Sequence, residues 1–265
     1  MFARLSVLWK QRKNLLHLVL SDFAQNYMAS YIGFAWAIIS PLVTMAVLTL
    51  VFQVGFRVQP MQGNTPFTIW LLCGMVPWVY FAESLTSGSN AVSSYAFLVR
   101  KAVFRISYLP AIRLAANSII HAALLVFLFF ALLYFNFLPS VFWLQFFFYF
   151  FCMYMLLLGI AWFSSSVAVF VPDMVNVLSV CTNIGFWVTP IFWEKSMLPE
   201  KWHWIFTINP AYYIVQGYRD TFLEHRWFWE RPSAENAVFL VWLVFALLLG
   251  GLTFKKLRPH FADVL

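Results

Sequence analysis

Charge is what this sequence has least of: Asp, Glu, Lys and Arg make up 10% of its 265 residues, against roughly 25% in a soluble domain. That is too little to cover a water-facing surface, which excludes an ordinary soluble fold. Acids are the scarcer sign, and the formal net charge is +7. The bases sit beside apolar runs rather than on a face of their own, so the surplus reads as membrane topology and no nucleic-acid partner is expected. Cysteine is also rare. Cys73, Cys152 and Cys181 lie scattered in apolar segments with no CxxC pair and no zinc spacing, and read as small hydrophobes. No GxxxxGK[ST] loop, GxGxxG turn, HExxH helix or GxSxG elbow occurs, so no recognised nucleotide site or catalytic nucleophile is present and any driving energy comes from another subunit. The five histidines, His17, His121, His203, His225 and His260, have no carboxylate at a catalytic offset within a span; His121 is expected to make a structural hydrogen bond or line a pore.

What the chain does have is apolar length. Hydrophobic residues make up 63% of it and the mean hydropathy is +0.79, enough for several spans of about 20 residues each. The fold class expected is an all-α integral membrane protein with six transmembrane helices in a single domain, 1–265. Residues 1–30 mix Arg and Lys with Leu and Trp as an amphipathic helix lying at the interface, retained rather than cleaved as a signal. Spans are expected at 32–56, 67–94, 110–137, 141–171, 175–192 and 237–254. Pro41 inside the first is a distortion that lipid-embedded helices tolerate. Residues 95–109 form an amphipathic helix in which Arg100, Lys101 and Arg105 interrupt an apolar pattern. From 193 to 235 the composition turns wet and Trp-rich, which suits short re-entrant or surface helices with interfacial anchors.

Six spans place both termini on one face, together with Arg4, Lys10, Arg12, Lys13, Arg100, Lys101, Arg105, Arg113, Lys255, Lys256 and Arg258. The positive-inside rule makes that face cytoplasmic. Glu83, the one acid in the second span, is expected to face protein or water and to pair within the subunit. Phe146 to Phe151 is expected to face lipid. Tyr27, Tyr31, Trp36, Trp78 and Phe81 could either anchor span ends or stack on sugar faces.

The order of elements, with Tyr27, Tyr31, Gly33, Trp36 and Pro41-Leu42, then Leu72-Cys-Gly-Met-Val-Pro-Trp78 with Phe81 and Glu83, resembles the permease subunit of type-2 ABC exporters for O-antigen, capsule or teichoic acid polysaccharides. Asn90, the stretch Leu98 to Arg105, Pro110, Thr189-Pro190, Asn209-Pro210, Tyr213, Arg219-Asp220 and Pro259-His-Phe-Ala-Asp-Val-Leu265 carry the resemblance over essentially the whole chain. It implies a channel-forming transport subunit, not an enzyme, in the bacterial cytoplasmic (inner) membrane, multi-pass with both termini cytoplasmic. The partners implied are a second copy of the chain, two copies of a separate ATPase that binds ATP and Mg, an undecaprenyl-diphosphate-linked glycan, and membrane lipids. This chain itself would hold no cofactor and no metal.

By the same resemblance, Arg100, Lys101 and Arg105 would couple to the ATPase with Asp173 as a second contact. Arg4, Lys10, Arg12 and Lys13 would attract the diphosphate, and Tyr27, Tyr31, Trp36, Trp78 and Phe81 would line the channel. Trp202, Asn209, Pro210, Tyr213 and Arg219 would form an outer gate. Two alternatives stay open. One is a membrane enzyme acting on lipid-linked glycans through Glu194, Glu200, His203, Asp220, Glu224 and His225. The other is an ABC permease for a small amphipathic drug.

Overall fold

The structure is a computed structural model that describes residues 16–24, 33–58, 65–97 and 105–265. The expectations for Arg4, Lys10, Arg12, Lys13, Tyr27, Tyr31, Arg100 and Lys101 lie outside those residues. A helical stretch at 16–24 precedes α1 (Phe34–Thr49), which runs on as a π-helical turn, Leu50–Gly55. Then come α2 (Phe67–Ser89), α3 (Leu109–Tyr134), α4 (Phe146–Ala168) and α5 (Met174–Val188). The short α6 (Trp204–Ile208) and α7 (Pro210–Arg219) follow, with a second π-helical turn at Asp220–Glu224. The chain closes with α8 (Ser233–Leu257) and α9 (Phe261–Val264). Among the described residues, five helical segments are long and apolar enough to cross a membrane, and α5 is a shorter apolar helix.

Several boundaries differ from those expected, each for a local reason. Residues 90–92 turn after α2, short of the expected 94. Helix α5 stops at Val188 because Thr189 is extended and Pro190 cannot continue a helix; its 15 residues span about 23 Å. The last helix starts four residues early, at Ser233. Pro232 presets its first turn, while Glu235 in that turn is held by Arg231 and Lys195. At its other end Lys255 and Lys256 extend the helix, favoured by the negative end of the dipole.

Helix α2 is the centre of the molecule. It packs against α3, α4, α5 and α7, and seventeen of its residues from Phe67 to Ser89 are buried. The most extensive pairing is α4 with α8. A Cβ on Gly250 would lie 2.0 Å from the carbonyl oxygen of Gly159, so glycine at both positions permits backbone contact, the packing term that holds helices together where lipid removes the hydrophobic drive. By contrast α1 buries little: Val43, Val47 and Val54 are 54%, 54% and 70% exposed. In α5 Leu178 is the one buried residue.

The Phe146 to Phe151 run does not uniformly face outward. Phe147 and Phe151 are exposed, but Tyr149 is fully buried, Phe148 stacks on Phe228 at 4.1 Å and Phe150 on His121 at 5.2 Å. A helix turns about 100° per residue, so an unbroken aromatic run must divide between faces.

At the end of the bundle bearing Arg105, Asp173, Lys255 and Arg258, hereafter the basic end, Val92, Leu109, Val169, Phe254 and Phe261 form a second apolar cluster. The terminal Phe261 is fully buried there, so the tail motif ties α8 to the ends of α2, α3 and α4. Arg113 is also not the head-group cation its position suggests. It is 8% exposed, and Asp22 holds it at 3.1 Å. Asp22 also accepts from the Tyr95 hydroxyl, which joins the leading helical stretch, the segment after α2 and the start of α3.

Candidate functional site

Between α1, α2, α3 and α5 lies a cavity of about 550 Å³. Ser40 and Thr44 border it from α1, Glu83 and Thr86 from α2, Asn117 and His121 from α3, and Ser179, Thr182 and Asn183 from α5. The α5 contribution has a simple origin. Ser179, Thr182, Asn183 and Phe186 recur at three- and four-residue spacing on one face of the helix, while Val177, Val180, Ile184 and Trp187 lie exposed on another. Asn117 donates to the hydroxyls of Ser84 at 3.2 Å and Ser87 at 2.8 Å, and His121 Nε2 lies 2.9 Å from the Tyr218 hydroxyl. Glu83 is exposed to the cavity; its carboxylate makes no direct hydrogen bond or ion pair with a described residue, and its backbone carbonyl accepts from Thr86 Oγ1 at 3.2 Å. The intramolecular charge that acts on it is Arg113, at longer range, through space and without direct contact.

The expected aromatic residues fall in three different places. Trp78 borders the cavity although most of its surface is packed, its ring stacked on Phe81 at 5.7 Å and tilted against Phe186 at 6.0 Å. Phe81 is buried behind it. Trp36 is 52% exposed and is not among the residues that border the cavity.

At the other end of α2, residues 189–235 build a corner around buried charge. Asn209 caps α7, its side chain accepting from Ala211 N at 2.9 Å and donating to Thr189 Oγ1 at 2.9 Å, and Pro210 takes the first helical position. Arg219 is 1% exposed. It donates to the carbonyls of Pro190 and Ile191, both at 2.8 Å, with its guanidinium 3.4 Å from the centre of the Trp70 ring. Gly74 makes room for it, since a Cβ there would stand 2.7 Å from Arg219 Nη2.

Next to Arg219, the fully buried Asp220 holds Arg226 at 2.8 Å and Arg231 at 3.3 Å. Burial raises the Asp220 pKa above the usual carboxylate range, and the two guanidinium groups pull it back down. Arg231 also donates to Glu235 at 3.0 Å and to the Tyr213 carbonyl at 2.9 Å. Tyr213 stacks on Phe239 at 4.2 Å and donates to Asn236 at 2.8 Å. Asn209, Pro210, Tyr213 and Arg219 thus meet in one structure, whereas Trp202 stands outside it, 45% exposed.

A sequence profile of the ABC-2 type transporter family matches residues 13–223, which takes in the cavity helices and the Arg219 corner. The chain belongs to that family. Its relatives include two proteins of Klebsiella pneumoniae named O-antigen export system permease protein RfbA. One is 25% identical over 253 residues and the other 27% identical over 254, each match covering 92% of both chains. A protein of the same name from Myxococcus xanthus is 24% identical over 267 residues, covering 97% of this chain and 96% of its own.

An ABC-2 permease is a membrane-spanning transport subunit that works with a separate ATPase. At the basic end of this one, Arg105 is exposed with its guanidinium 3.4 Å from the Tyr108 hydroxyl, and Asp173 is exposed where it precedes α5. Of the residues of the enzyme alternative, Glu200 is exposed and the other five are engaged otherwise. Asp220 and Glu224 pair with Arg226, the Glu194 carboxylate accepts from Ser196 at 2.8 Å, His203 bonds the Leu198 carbonyl, and His225 meets the ring of Phe142 edge-on. Sequence reasoning passed over the cavity residues Ser40, Thr44, Thr86, Asn117, Thr182 and Asn183. The signal was available in α5, where polar residues recur every three to four positions through a span.

Proposed function

We propose that this ABC-2 permease exports a lipid-linked polysaccharide, an O-antigen or similar surface glycan, across the bacterial cytoplasmic membrane. The observation that carries the reading is the cavity. The hydroxyls and amides set among its apolar and aromatic lining residues inside a membrane domain can exchange hydrogen bonds with successive sugars without fixing any one of them, as passage of a long polymer requires. The names of the relatives support the same substrate class.

In this reading the basic end is cytoplasmic, as Arg105, Lys255, Lys256 and Arg258 favour, and both termini lie on that side. A second copy packs on the uncovered faces of α1 and α5 and closes the two cavities into one conduit. Arg4, Lys10, Arg12 and Lys13 attract the diphosphate of the undecaprenyl carrier. Tyr27, Tyr31 and Trp36 guide sugars towards Trp78 and Phe81. Two ATPase subunits, which bind ATP and magnesium, press on Arg100, Lys101, Arg105 and Asp173, and the Arg219 corner holds the helices that gate the outer exit.

The test is deletion of the gene, followed by measurement of how the lipid-linked glycan divides between cell interior and surface. Full-length glycan trapped inside, and released when the gene is restored, is the expected result. Altered glycan still reaching the surface would favour a membrane enzyme, and unaffected glycan would redirect the search to small-molecule export.

A further inference from the structure

The cavity carries a single formal charge among its described lining residues, the carboxylate of Glu83, and no lysine or arginine borders it. The basic side chain one turn away from Asn117 on α3, Arg113, is occupied. It is buried against Asp22, reaches Ser94 at 3.4 Å and acts at longer range on Glu83, one base shared between two acids, so it leaves no net positive charge for an anion in the cavity. His121 is 2% exposed and bonded to Tyr218. Residues 25–32, which lead into α1, contain no charged residue type.

An anionic group passing through would therefore face a carboxylate across a wall of low polarizability, with no unpaired cation among the described lining residues to offset the loss of its water. A neutral sugar meets hydroxyls and amides set among apolar and aromatic side chains, and carries no charge for Glu83 to repel. We propose that the conduit selects glycans built of uncharged sugars and rejects those carrying an acidic group in each repeat, with Glu83 as the specificity-determining residue. This rests on the export reading and narrows its substrate class. The diphosphate on the lipid carrier meets Glu83 once per molecule, whereas an acidic repeat meets it at every repeat. A second copy would bring a second Glu83 to the same conduit and double the effect.

The experiment supplies two lipid-linked glycans of matched length to one cell that expresses the permease with its ATPase. One is built of neutral hexoses, and the other carries a uronic acid in each repeat. The readout is the surface-to-interior ratio of each. The wild type is expected to favour the neutral glycan by about tenfold or more, and Glu83→Gln to narrow that preference to about threefold or less. Glu83→Asp, which keeps the charge, should hold the wild-type preference. A poorly folded variant lowers both glycans together and leaves the preference readable. Equal export of the two glycans by the wild type, or an unchanged preference in Glu83→Gln, overturns the inference. Export of neither by the wild type overturns the export reading and the inference with it.

Discussion

The two ends of α2 treat polar side chains in opposite ways. Near Trp70 and Gly74, charge is buried and paired: Arg219 with two carbonyls, Asp220 with two arginines, Arg231 with two carboxylates. From Met75 to Thr86 the same helix borders a cavity whose polar groups are neutral apart from Glu83. Buried ion pairs add little net stability, but losing one partner is costly, so they hold a geometry in place. The cavity hydroxyls of Thr44, Thr86 and Thr182 donate only to carbonyls of their own helices, at 3.0, 3.0 and 2.8 Å, and keep their lone pairs available to a passing chain. The contrast separates a rigid corner from an adaptable surface on one helix.

The largest effect that would break this contrast lies at Asp220. Asp220→Ala leaves Arg231 buried beside a missing carboxylate and is expected to cost about 3–5 kcal/mol. Thr182→Ala in the cavity should stay within about 0.5 kcal/mol of wild type. Thermal unfolding of the two purified variants in detergent compares them directly, and similar midpoints would erase the distinction between corner and cavity.

A smaller effect sharpens the contrast. Gly74→Leu places a side chain against Arg219 Nη2 at 2.7 Å and the Ile191 carbonyl at 3.3 Å, and overpacking of this kind costs about 1–3 kcal/mol. Combined with Arg219→Met, the two losses should fall short of additive, because the second change removes the group the first collides with. Additive losses in the same unfolding assay would show that Gly74 serves something other than room for Arg219.

How much of this was legible in the sequence follows from how local each signal is. The long apolar runs were legible because a run of the right length declares itself, while several helix ends differ from the expected ones by a few residues, at Pro190 and Pro232 because a proline sets the terminus. The Leu72 to Trp78 motif was visible, but the reason for its glycine was not: Gly74 matters through a residue on α7, and spacing along α2 carries no record of that contact. Arg113 was counted among the bases of the cytoplasmic face for the same reason, since its partner Asp22 lies 91 residues away. Aromatic residues drew attention to Trp36 and Phe81 because rings near span ends are conspicuous, while the hydroxyls and amides of α1, α3 and α5 passed as tolerated polar residues. Their common direction emerges only when four helices are placed around one space.

The account stands on that space being the route of transport, and the most direct test is to block it. With Cys181, the exposed cysteine, replaced by serine, Asn183→Cys puts a thiol at the cavity wall, and reaction with a bulky maleimide then fills the opening while the helices remain packed. Glycan export measured before and after reaction should fall about tenfold or more. Undiminished export from fully modified protein would place the route elsewhere and contradict the account.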